Sequence, residues 1–180
     1  MARKIFVSSG HGGIDKGASS GQFIERDLTI EFRNLLTLEL QKLGVKWSTD
    51  ADTNALKETL DFIKGKFLPS DILLDIHFNA GGGEGVEVVI PNVSSAFEQR
   101  LAQSIVDTIS KLTGFKKRQG GVIPESSTAR KTLGWMRPNS ENILIEMCFI
   151  DNKSDMLTYQ LNKVKIAKEV AKVISDFTKL

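Results

Sequence analysis

Ile5-Phe6-Val7-Ser8-Ser9-Gly10-His11-Gly12-Gly13 is an apolar run that stops at a glycine-rich segment, and from Glu25 the apolar spacing turns helical. The run predicts a buried strand. Five glycines between Gly10 and Gly21 predict a loop whose backbone can turn tightly or approach a bound group closely. Leu28, Phe32, Leu35, Leu36, Leu40 and Leu43 then recur at three-to-four spacing, with Gly44 placed to end the helix. Strand, loop and helix in that order open an α/β arrangement.

The alternation continues outward from this stretch. Val45-Lys46-Trp47 predicts a second strand, and residues 54–66, with Leu56, Leu60 and Ile63 running on to Phe67, predict a helix. Pro69-Ser70-Asp71 breaks it before Ile72-Leu73-Leu74-Asp75-Ile76-His77-Phe78, a third strand. Gly81-Gly82-Gly83 makes a turn, and Val86-Glu87-Val88-Val89-Ile90 is a strand ended by Pro91. Phe97, Leu101, Ile105, Ile109 and Leu112 give the cleanest amphipathic helix, capped at Gly114. Residues 116–142 are polar and rich in glycine and proline, give no clear element, and are expected in part to form a long loop over the site. Ile143 to Phe149 is a buried strand, and Lys163 to Phe177 a closing helix with Ala167, Val170, Ile174 and Phe177 on one face. Short strands, apolar on both sides and alternating with helices, predict a three-layer α/β domain with helices on both faces of a mostly parallel sheet. A single domain over residues 1–180 is expected.

Composition narrows the function. Lys plus Arg is 24 and Asp plus Glu is 22, a net charge of +2 that argues against a dedicated nucleic-acid binder. The densest basic spot, Lys116-Lys117-Arg118, reads as a solvated turn after a helix or as a docking point for an anionic polymer. The single cysteine, Cys148, excludes an intrachain disulfide and reads as a buried, inert thiol. No segment approaches the length of a membrane span, and stable membrane association is not expected. The N-terminal apolar run is too short for a signal-peptide core.

Chemistry concentrates at four residues. The chain has two histidines, His11 just past the first strand and His77 near the end of another. Glu25 opens the first helix, and Glu146 sits inside Ile143-Leu144-Ile145-Glu146-Met147-Cys148-Phe149. Sites in α/β sheets form beyond the carboxyl ends of strands, so all four can converge on one edge. Two imidazoles, a ligating carboxylate and a free one are the components of a hydrolytic zinc site. Each also has a plainer reading. His77 could bond a backbone carbonyl, His11 could decorate the loop, and Glu146 could pair with Arg137 or Arg130. Strand alternation puts Asp75 on the face of His77, either to orient its ring or to face solvent under a loop. Trp47 reads as core. Trp135 reads as packing or as the wall of a substrate groove. The glycine loop lacks the ending of a P-loop, and no serine-hydrolase elbow is present.

These residues resemble the zinc-dependent N-acetylmuramoyl-L-alanine amidases of the amidase-3 type. Asp-Pro-Gly-His-Gly-Gly, Asp, Gly-Ala, Gly and Glu stand here as Ser8-Ser9-Gly10-His11-Gly12-Gly13, Asp15, Gly17-Ala18, Gly21 and Glu25. Ser-Ile-His-x-Asn-Ala stands as Asp75-Ile76-His77-Phe78-Asn79-Ala80, followed by Gly85-Val86-Glu87. Glu-Thr-Gly-Phe-Ile-Ser-Asn stands as Glu146-Met147-Cys148-Phe149-Ile150-Asp151-Asn152. The resemblance implies a sheet of six strands, mostly parallel, and Zn2+ bound by His11, Glu25 and His77. It implies Glu146 as the catalytic carboxylate in cleavage of the amide between the lactyl group of N-acetylmuramic acid and L-alanine of the peptidoglycan stem peptide. It also implies an enzyme that reaches the wall after release, as phage lysins do, or a domain of a secreted protein; a monomer is the simplest expectation. The rivals are a zinc peptidase acting on another stem bond and a non-catalytic wall-binding domain. The departures predict weaker ligand support at Ser8-Ser9, a cleft floor narrowed by Met147 and Cys148, and Arg137 supporting Glu146 or the peptide. Asp50 stands where many relatives have arginine.

Overall fold

In the computed structural model, which describes residues 2–180, the chain runs through β1 (Ile5–Ser9), β2 (Ser19–Ser20), β3 (Phe23–Ile24), α1 (Glu25–Lys42), β4 (Trp47–Ser48), α2 (Leu56–Ile63), β5 (Ile72–Asn79), β6 (Val86–Ile90), α3 (Ala96–Thr113), β7 (Lys117–Pro124), β8 (Glu141–Phe149) and α4 (Lys153–Phe177). Six strands pair in the order β4-β1-β5-β8-β6-β7, and β2 and β3 form a small separate hairpin. All neighbours in the large sheet are parallel except β6 and β8. Because β6 and β7 run the other way, their amino ends lie at the edge where β1, β5 and β8 finish.

Alternation divides the buried side chains between two faces. Ile5 and Val7, Ile72, Leu74, Ile76 and Phe78, and Ile143 and Ile145 pack with buried residues of α1, α3 and α4. Phe6, Leu73, Leu144 and Val89 pack on the other face with Ile63 of α2 and with Trp135. Each such side chain contributes roughly 1.5–3 kcal/mol by leaving water. Toward the edge this second face turns polar, at Ser8, Asp75, His77, Glu146 and Glu87.

The predicted three-layer fold is present, with changes at several elements. α4 begins at Lys153 rather than Lys163, because Asn152 Oδ1 accepts from the amides of Ser154 and Asp155 and caps it there. Its first turns hide few apolar residues; Leu157 and Leu161 are exposed, so the apolar pattern starts late. Lys117–Pro124 is a strand, not a turn or loop. Two glycines and a proline obscure it, and a sheet edge tolerates them. Residues 125–140 hold two 3-10 turns, Glu125–Ser127 and Gly134–Met136, before β8 begins at Glu141. α2 is shorter than residues 54–66, and the second strand is Trp47–Ser48. Trp47 is exposed, not core.

Candidate metal centre

Gly10 follows β1, and its amide bonds the Ile76 carbonyl on β5 at 2.8 Å, so the loop leaves the sheet beside His77. His11 then takes a left-handed backbone, φ 68°. A non-glycine residue held there stores strain, which the surroundings must impose. A side chain on Gly10 would run into the His77 ring and lie 2.6 Å from the Ile76 carbonyl oxygen. One on Gly17 would come within 2.5 Å of Glu25 Oε2 and 2.6 Å of the His11 ring, and Gly17 also has a positive φ of 62°. These two glycines leave the room that both imidazoles occupy.

Glu25, the first residue of α1, reaches between the rings. Its Oε2 lies 3.1 Å from His11 Nε2, and its Oε1 lies 3.0 Å from His77 Nδ1. The Ala18 amide donates to Oε2 at 2.8 Å and the Phe78 amide to Oε1 at 3.0 Å. Each imidazole turns its other nitrogen to an aspartate: His11 Nδ1 to Asp15 Oδ2 at 2.9 Å, His77 Nε2 to buried Asp75 Oδ2 at 3.1 Å. Leu74, Ile76 and Phe78 lie on the opposite face, as alternation requires. Asp75 therefore meets the ring of His77.

One donor atom from each of His11, Glu25 and His77 lies within 4.8 Å of the others. Donors around a tetrahedral zinc stand roughly 3.4 Å apart, so the donor set and its spacing fit one divalent ion. The electrostatics agree. Burial opposes charging of both rings, yet Glu25 and Asp15 outweigh it at His11, and Asp75 and Glu25 outweigh it at His77, so both are held above the usual imidazole value. Burial likewise opposes ionisation of Glu25, but the two imidazoles hold its carboxyl well below the usual range. The carboxylates around the two rings thus favour a positive charge there, a proton or a metal ion.

Glu146 lies opposite His77 in the β5–β8 pair. Its Oε2 is buried and makes no hydrogen bond among the described residues. Burial, which outweighs the pull of His77, pushes its carboxyl up to about 7. A carboxyl poised near neutrality with a free oxygen can accept and return a proton.

The expected partners of Glu146 lie elsewhere. Arg137 pairs with Glu125, whose other oxygen accepts from the Leu133 amide at 2.8 Å. It does not support Glu146. Arg130 lines a cavity of about 110 Å³ beside His11, His77 and Asp75, with Trp135 in its wall. The Trp135 side chain is otherwise core, its Nε1 donating to the Ile143 carbonyl at 3.0 Å. Met147 and Cys148 do not floor the cleft. His77 pairs with Glu146 and Asn79 with Phe149, so β8 carries one extra residue there, and both side chains lie in the core on the other face. Cys148 is the buried thiol expected. Asp50 accepts from Ser8 Oγ at 3.3 Å and from the Thr59 hydroxyl, and burial pushes its carboxyl up.

One further carboxylate, given no role from the sequence, belongs to the site. Buried Glu87 faces Glu146 across the antiparallel pair and is tied to Arg118 and Asn79. A carboxylate inside Val86-Glu87-Val88 was the available signal, since buried charges need partners.

The family model described as N-acetylmuramoyl-L-alanine amidase (Amidase_3) matches residues 5–176. The chain is 32% identical over 157 residues to the N-acetylmuramoyl-L-alanine amidase CwlM of Bacillus licheniformis, covering 84% of this chain and 58% of that protein. It is 26% identical over 166 residues to the endolysin of Bacillus phage SPP1, covering 86% of this chain and 58% of that protein. Among solved structures, Cwp6 from Clostridium difficile superposes with a TM-score of 0.80 at 28% identity, covering 97% of this chain and 29% of that one. The chain thus spans 58% of the length of these two curated relatives.

Proposed function

This chain belongs to the Amidase_3 family of N-acetylmuramoyl-L-alanine amidases, and from that premise we propose that it hydrolyses the amide joining the lactyl group of N-acetylmuramic acid to L-alanine in peptidoglycan. His11, Glu25 and His77 would hold zinc, and Glu146 is the catalytic carboxylate. The matched span, residues 5–176, supports reading the chain as one catalytic unit acting on the cell wall. The observation that carries the reading is the convergence of three donor atoms within 4.8 Å beside a buried Glu146 oxygen that has no hydrogen-bond partner among the described residues.

Zinc, when bound, supplies positive charge that acidifies water and polarises a carbonyl. The residues of the chain supply the rest. Asp15 and Asp75 fix the ring orientations of His11 and His77, leaving one nitrogen of each toward Glu25. Glu25 is fixed in turn by the amides of Ala18 and Phe78. Glu146 Oε2 takes a proton from the attacking water. The same oxygen then hands it to the departing L-alanine nitrogen, which cannot leave as an anion.

Digestion of purified peptidoglycan tests this. The wild type is expected to release new N-terminal L-alanine, and Glu146→Gln to lose at least about a hundredfold in rate, the usual weight of a general acid–base, while keeping its zinc. A new terminus inside the stem peptide would point to a peptidase instead, and full activity of Glu146→Gln would refute the assigned role.

A further inference from the structure

The floor of the site is a row of side chains from successive strands: His77 on β5, Glu146 on β8, Glu87 on β6 and Arg118 at the head of β7. Arg118 Nη1 donates to both oxygens of Glu87 at 2.8 Å, and Asn79 Nδ2 donates to Oε1 at 2.7 Å. The Glu87 side chain is 4% exposed and that of Arg118 39%. One corner of the guanidinium is therefore tied down. Its Nε and Nη2 make no hydrogen bond among the described residues. The group also lies 5.6 Å from the centre of the Phe149 ring, close enough for a cation–π contact.

The backbone at Arg118 departs from a regular ladder. From Val86 to Val88, β6 advances two residues while β7 advances from Lys117 to Val122. The surplus forms a bulge in which Gln119, Gly120 and Gly121 have φ of 49°, 86° and 98°. Bulges beside sites re-aim a side chain, and Arg118 stands at the start of this one. The neighbouring cations are engaged outside the row, Lys116 with Glu84 and Lys117 with Asp107.

We propose that Arg118 binds a free carboxylate on the second residue of the stem peptide, the one that follows L-alanine. It thereby favours stems that keep this carboxylate over stems that carry it as an amide. The inference rests on the amidase reading. Glu146 protonates the departing nitrogen, so the peptide runs from Glu146 away from His77, toward Arg118. Adjacent strands are about 4.8 Å apart. The guanidinium, drawn back over β6 by Glu87, thus lies within one to two strand spacings of Glu146. Two extended residues span roughly 7 Å, which reaches it. A guanidinium fixed on one edge and open on the other can meet a carboxylate in fork geometry, and little ordering remains to be done on binding.

The test uses two soluble muropeptides that differ only in whether the second stem residue carries a free α-carboxylate or a carboxamide. With the wild type, kcat/KM is expected to favour the acid by roughly tenfold or more, mainly through KM. In Arg118→Gln the ratio should fall to near one. It should do so again in the doubly substituted Glu87→Gln/Arg118→Gln protein, which leaves no buried charge unpaired. Arg118→Lys should keep part of the preference. A purely structural Arg118 would lower both rates and leave the ratio alone, and that result overturns the proposal, as does a wild type that treats the two substrates alike. If the wild type released N-terminal alanine from neither substrate nor whole peptidoglycan, the amidase reading itself would fall.

Discussion

Glu146 is a carboxylate in an apolar strand, opposite His77 on one side and Glu87 on the other. Burial raises its carboxyl from 4.5 to about 7. In the metal-free protein the native state therefore holds this proton after the unfolded chain has released it. Stability contributed by the neutral acid is intact below about pH 4.5, falls as pH rises toward 7, and is constant above. Urea unfolding of metal-free wild type and Glu146→Gln across this range should show the variant gaining on the wild type, by on the order of 2–3 kcal/mol at the upper end. A difference that stays flat with pH would contradict the burial argument. Asp75 acts on the other side of the row. With its oxygen 3.1 Å from His77 Nε2, Asp75→Asn removes the charge that holds the ring and should weaken zinc binding roughly 10- to 100-fold. Competition with a chromophoric chelator measures this, and an unchanged affinity would show that the ring needs no such support.

At the scale of elements, the sequence was legible where apolar periodicity was strong and faint where it was not. β1, β5 and β8, α1 and α3 carry strong apolar patterns, and the four chemical residues sit at or near their ends. The rule that sites lie beyond strand ends allowed His11, Glu25, His77 and Glu146 to converge, and the family resemblance supplied their roles. β7 stayed hidden because it pairs on one side only, so few of its residues are buried. The start of α4 stayed hidden because a polar cap, not an apolar stripe, begins it. Side-chain direction after Glu146 could not be read either. Simple alternation would put Cys148 beside the cleft, but the extra residue in β8 turns it into the core. The link between Glu87 and Arg118 joins two strands that only the tertiary fold brings side by side.

At the scale of the molecule, the reversed direction of β6 and β7 matters most. It brings Glu87 and Arg118, from the beginnings of their strands, to the edge where β1, β5 and β8 end. Donors from a loop, a helix and a strand, widely separated in sequence, meet there within 4.8 Å of one another. We propose this cluster as a metal centre, and anomalous diffraction at the zinc absorption edge, on crystals of zinc-loaded protein, tests that assignment. One peak about 2.0–2.2 Å from His11 Nε2, His77 Nδ1 and a Glu25 carboxylate oxygen, with Glu146 beside it, is the predicted result. Full zinc loading with no peak among these three side chains would contradict it.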